Sequence, residues 1–102
     1  MAMQFIYRIN QEIAQYKYKI IYGSGIAAIE LYMSITEQGE TIDFFCDKEK
    51  FPVGKKLLNR EIITPEKASE FGDDVCMIVC EEYVPEVIND LEKLGIRHIY
   101  VS

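Results

Sequence analysis

The residues whose types and spacing hold the most chemistry lie in the stretch Lys19–Ala28, KIIYGSGIAA. Gly23, Gly25 and Ala28 follow an apolar run and open what reads as a helix. In such a turn the first glycine permits a tight bend and the second lets main chain come close to a pyrophosphate. A small third residue then lets helix and strand pack closely. Unpaired N–H groups and the positive end of the helix dipole attract anions there. Gly23, Ser24, Gly25 and Ile26 therefore form a candidate phosphate loop. Ser24 either donates its hydroxyl to a phosphate or simply fits the turn.

A carboxylate closes the next apolar run. Asp47 stands 24 positions beyond Gly23, near the roughly 20-residue spacing at which an acidic side chain meets ribose hydroxyls. The other reading of Asp47 is an ordinary polar residue at a strand end. Its charge would repel a 2′-phosphate and so favour NAD over NADP, with Lys48 and Lys50 partly offsetting that repulsion. Glu81, Glu82 and Tyr83 border the same edge. Tyr83 either stacks on a base or packs half-buried; the two glutamates are expected to face solvent, since adjacent loop residues seldom converge on one substrate atom.

Other reactive types carry less. Cys46, Cys76 and Cys80 form no Cys-x-x-Cys pair and join no His cluster, which fits a reducing compartment and argues against disulfides and structural zinc. All three fall in predicted strands as small hydrophobes. Cys46 lies beside the proposed loop, yet no base or cation is assigned to activate it. His98, the single histidine, is expected to be structural. No catalytic constellation and no metal set can be assembled.

The elements that must position these residues follow from periodicity. Ile6, Ile9, Ile13 and Tyr16 recur at helical spacing over residues 4–16, giving an N-terminal helix that covers the sheet or, alternatively, docks on a partner or a second copy. Residues 18–22 form a strand buried on both faces. The next helix spans about 25–38, with Ile26, Ile29 and Met33 joining Ala28, Leu31 and Ile35 on a broad inward face, and Gly39 stops it. Strands follow at 42–46 and 61–63, with Pro52 and Gly54 marking a loop between them. Thr64 caps a short helix with Pro65 in its first position, and Gly72 ends it. A strand at 75–80, a helix at about 84–94 and a strand at 97–101 complete the chain. The alternation predicts one α/β domain over 1–102, with an N-terminal helix at 1–17 and a core at 18–102. That core is a three-layer open parallel sheet of five strands in order 3-2-1-4-5. Ligands bind such sheets at the carboxyl ends of the strands, where the order reverses.

With 102 residues, the chain has room for one core and not for a separate catalytic domain. Eleven Lys plus Arg against seventeen Asp plus Glu give a formal charge of −6. A long-range field of that sign repels polyanions, so nucleic acid is not expected as a partner. Lys48, Lys50, Lys55 and Lys56 gather in one segment, as a solvated face or a local basic rim. The N-terminal MAMQFIYRIN lacks the apolar core and cleavage site of a signal peptide, and no apolar run approaches the length of a membrane span. A cytoplasmic location without membrane contact is the expectation.

In the order IYGSG, IDFFCD, VGKKLLNREIITPEKA, VCMIVC and INDLEKLGIRHIYV, residues 18–102 resemble the small Rossmann-like nucleotide-binding domains of bacterial polysaccharide biosynthesis. Such domains accompany sugar-modifying acyltransferases, capsule-type nucleotide-sugar dehydratases and FkbM-type methyltransferases. The resemblance implies a phosphate loop at Gly23, Ser24 and Gly25, a ribose contact at Asp47, and NAD or a nucleotide-sugar as ligand. Ala28 replaces the third glycine. The chain lacks the Tyr-x-x-x-Lys pair, acyltransferase repeat or methyltransferase domain of those enzymes, which implies a sensing or regulatory module or an enzyme fragment without catalysis of its own. The alternative is a ligand-free interaction domain that pairs through its N-terminal helix.

Overall fold

The computed structural model describes residues 9–49, 52–80 and 84–101. Its centre is β1 (Tyr18–Tyr22), which pairs in parallel with β2 (Phe44–Cys46) on one side and β5 (Val75–Val79) on the other. β4 (Arg60–Ile63) extends the sheet beyond β2, and β6 (Ile99–Val101) extends it beyond β5, both in parallel. The whole order is β3-β4-β2-β1-β5-β6. β5 is buried along its full length, as a central parallel strand covered on both faces must be.

Strand alternation divides the core in two. Ile21, Phe45, Ile62, Cys76 and Ile78 point to one face, where they meet Ile9 and Ile13 of the helical residues 9–13 (α1) and Ala28, Leu31 and Ile35 of α2 (Ile26–Glu37). Ile20, Tyr22, Cys46, Ile63, Met77 and Val79 point to the other. There they meet Ala68 of α3 (Pro65–Ser69) and Val87 and Leu91 of α4 (Val84–Lys93). Full burial of one such aliphatic side chain stabilises by roughly 1.5–3 kcal/mol, so the two faces jointly fix where each helix begins. The amino end of β1 is pinned as well. Buried Lys19 pairs with Glu40 at 3.4 Å, and its main-chain N–H donates to the Asp43 carboxylate at 2.8 Å.

Three expectations need correction. The sheet has six strands rather than five, so number and order both change. The additional strand is β3 (Lys56–Leu57), antiparallel to β4. Leu58 and Asn59 connect the two with φ of 49° and 65°, the left-handed pair of a two-residue hairpin that asparagine–glycine sequences usually announce. The inward face of α2 is also narrower than its composition suggests: Ile26 is 76% and Met33 51% exposed. Finally, Ile9 and Ile13 are buried against α2 and the sheet, as expected of a helix that covers the core, so these two side chains are not available to the alternative in which that helix docks; Ile6 lies outside the described residues.

Candidate functional site

At the carboxyl end of β1 the chain turns sharply. Gly23 is buried, has φ of 130° and donates its N–H to Cys46 O at 2.8 Å, carrying the β1–β2 pairing into the loop. That φ lies where side chains are strained and glycine is not. Gly25 is the N-cap of α2 in an extended conformation, φ −97° and ψ −162°. Among the described residues no side chain caps the helix, and no acidic residue lies in its first turn, so the orphan N–H groups of that turn have no side-chain acceptor among those residues.

Across the gap between β1 and β2, Asp47 follows the last residue of β2. Its N–H donates to Ile63 O at 3.0 Å, which fixes the carboxylate between the two loops. Ser24 Oγ donates to Asp47 Oδ2 at 2.5 Å, and Glu49 N–H donates to Asp47 Oδ1 at 2.8 Å. Glycine loop and carboxylate are thus in direct contact, and each carboxylate oxygen retains a second lone pair for a further donor.

Beside this contact lies an open cavity of about 220 Å³ lined by Tyr22, Asp47, Lys48, Glu49, Glu86, Val87 and Asp90. Tyr22 and Val87 form its apolar floor, since both belong to the buried cluster under α4. Among the described residues, its charged lining is four carboxylates and one ammonium group. Such a wall repels phosphate and accepts hydrogen bonds, whereas the start of α2 presents donors. The two halves of the site therefore differ in electrostatic character.

The structure brings Gly23, Ser24, Gly25, Asp47 and Lys48 to one edge of the sheet, with Ile26 exposed at the start of α2. Glu81, Glu82 and Tyr83 lie outside the described residues. Sequence reasoning missed Glu86, Val87 and Asp90. The signal was present in the spacing: Glu86 and Asp90 are four apart on one helical face, in the helix that leaves the strand beside β1. Cys46 is no reactive thiol, because burial, then the Asp47 and Glu66 carboxylates, raise its pKa far above the ordinary range. Burial likewise pushes Cys76 up to about 12. His98 sits before the amino end of β6, its ring 4.8 Å from that of Tyr16. Among the described residues no group of three or more His, Cys, Asp or Glu can hold a metal, and no helix is long and apolar enough to cross a membrane.

The fold and this edge define a Rossmann-like α/β domain. No family model matches the chain and no curated protein matches its sequence. Among solved structures it is similar to RSP, a Rex-family repressor, with TM-score 0.61 and 20% identity over 96% of this chain and 51% of that one. RSP in complex with beta-NAD+ and operator DNA gives TM-score 0.60 at 20% identity, covering 96% of this chain and 49% of that one. RSP in complex with beta-NADH gives 0.59 at 20% identity, covering 96% and 52%. The chain spans about half the length of these repressors, and the likeness establishes the fold. It gives no support to the polysaccharide-biosynthesis families that the sequence resembles. It also overturns the exclusion of nucleic acid: a protein containing this fold is held on operator DNA. Net charge describes the far field of one chain, and a local surface or an adjoining domain can contact DNA under an acidic total.

Proposed function

We propose that this chain is a nucleotide-binding module that holds an NAD-type dinucleotide at the carboxyl edge of its sheet and plays a sensing or regulatory part. Gly25 carries this reading. Its φ and ψ are open to any residue, and a Cβ there would meet nothing within 4 Å. Neither backbone conformation nor packing requires glycine; close approach of a ligand to the main chain does.

Gly23, Ser24, Gly25 and Ile26 receive the pyrophosphate, with the free N–H groups of α2 as donors. Asp47 accepts from ribose hydroxyls, and Lys48 lines the cavity beside it. The acidic lining disfavours a 2′-phosphate, so NAD binds in preference to NADP. Solved neighbours of the same fold hold beta-NAD+ and beta-NADH, which supports a dinucleotide over a nucleotide-sugar.

Isothermal titration of the full chain with NAD, NADH, NADP and UDP-glucose tests this. Saturable binding of NAD or NADH, weaker for NADP, is the expected result; at about 100 times its dissociation constant the ligand adds roughly 2.7 kcal/mol of apparent stability. Binding of UDP-glucose alone would replace the dinucleotide with a nucleotide-sugar. A folded chain that binds none of them would overturn the reading.

A further inference from the structure

α2 and α4 cover opposite faces of the sheet and meet solvent differently. Every exposed residue of α4 except Pro85 is polar, the pattern of a helix with one face in water. α2 is apolar around its whole circumference. Ala28, Leu31 and Ile35 face the core, yet Ile26 is 76% and Met33 51% exposed, Ala27 is exposed beside Ile26, and Ile29 is only half-buried. A helix that is apolar on all sides belongs among helices covered on all sides, and an exposed apolar stripe marks a contact surface. A dinucleotide held at Gly25 would cover Ile26 at most. From the glycine loop α2 runs back towards the amino end of β1, where Glu40 meets Lys19. Met33 lies seven residues along it, about 10 Å from Ile26 at the helical rise.

The charge on this surface has one sign. Glu30 and Glu37 alternate with Ile26 and Met33 at spacings of four, three and four, which sets all of them on one helical face. Both glutamates are exposed, as is Glu12 on the adjoining α1, whose Asn10 side chain donates to Ile35 O at 3.1 Å. Residues 9–16 and 26–40 contain no Lys or Arg. Stripe against stripe about a two-fold axis would set carboxylates against carboxylates with no cation to offset them, which opposes a second copy as occupant.

We propose that the outward face of α2 is the docking surface for a basic amphipathic helix of a protein partner. That helix sets two apolar side chains against Ile26 and Met33, and Lys or Arg against Glu30 and Glu37. Helices seat on partners through apolar anchors three, four and seven residues apart, while charge complementarity around the anchors excludes acidic competitors. The inference goes beyond the dinucleotide reading and does not depend on it.

Amide-resolved NMR titration of the full chain provides the test. The probe is a synthetic helical peptide with leucines at those spacings on one face and lysines elsewhere. A chain of charge −6 attracts any polycation, so a scrambled peptide of the same composition and one with glutamate for lysine accompany it. The first peptide alone should shift the amides of Ala27, Glu30, Met33 and Glu37 saturably. Met33→Gln, at an exposed position, should weaken it by roughly tenfold. Glu30→Gln with Glu37→Gln should weaken it by about threefold and flatten its salt dependence. No shift in the folded chain, or shifts centred away from α2, would overturn the docking surface. Equal binding of the scrambled peptide would reduce it to charge alone, and equal binding of the glutamate peptide would overturn the basic partner. A peptide-free chain that sediments as a dimer, and as a monomer in Met33→Gln, would give the face to a second copy and overturn the proposal.

Discussion

The starts of α2 and α3 solve the same problem in opposite ways. Thr64 Oγ1 accepts from Lys67 N–H at 3.1 Å, Pro65 occupies the first helical position without an N–H to satisfy, and Glu66 places a carboxylate in the first turn. At α2 none of these devices is present: Gly25 has no side chain, no residue caps, and the first turn holds no acid. Yet α2 has 12 residues and α3 five, so the longer helix is the one left without a cap. Packing explains why it can be: Ala28, Leu31 and Ile35 are fixed in the core, and most helical stability comes from such a face. Stability does not require an uncapped start, and on the proposed function its use is to leave those N–H groups for a ligand.

The strongest way to break this contrast is to give α2 the cap it lacks. Gly25→Asp places a preferred N-cap residue in a backbone conformation that already suits it, with open space around its Cβ. Stability should rise by about 0.5–1 kcal/mol, while NAD affinity should fall by about 100-fold or more as a carboxylate occupies the anion site. Urea unfolding and calorimetry on one preparation read both quantities. A variant that keeps its affinity removes the phosphate from this loop. The reciprocal change, Thr64→Ala, should cost about 1 kcal/mol of stability and leave affinity unaltered. Should Thr64→Ala weaken binding as well, the two helix starts are not separable in function.

What could be read in advance follows the same division. β1 and β5 were legible because strands covered on both faces are apolar without interruption, and the Thr64–Pro65 start because a hydroxyl before proline has one common use there. The glycine loop and Asp47 were each visible, and their contact through Ser24 follows from the strand–helix–strand order that brings both to one edge. The hairpin at Leu58 and Asn59 was not legible, since neither residue type advertises positive φ. An apolar helix also hides which of its faces is inward: only the packed structure shows Ile26 and Met33 exposed beside buried Leu31. Glu86 and Asp90 read as an ordinary solvated helix face until Asp47 and Tyr22 are placed across from them. Total charge, finally, is a property of the whole chain and could not stand for the partners of any one surface.

The smallest effect separates side chain from main chain within the loop itself. Ser24 is half-buried and its hydroxyl already has a partner, the Asp47 carboxylate at 2.5 Å. If the α2 N–H groups hold the pyrophosphate, Ser24→Ala removes one donor to Asp47 and leaves the anion site whole. Asp47 keeps its bond from Glu49 N–H and gains a free lone pair for a ribose hydroxyl. The loss of positioning and the gain of an acceptor oppose each other, so affinity should change by less than about tenfold, within the range of one net hydrogen bond. A loss comparable to that of Gly25→Asp would instead make the hydroxyl the principal phosphate ligand. The uncapped start of α2 would then matter for the room it leaves rather than for the donors it presents.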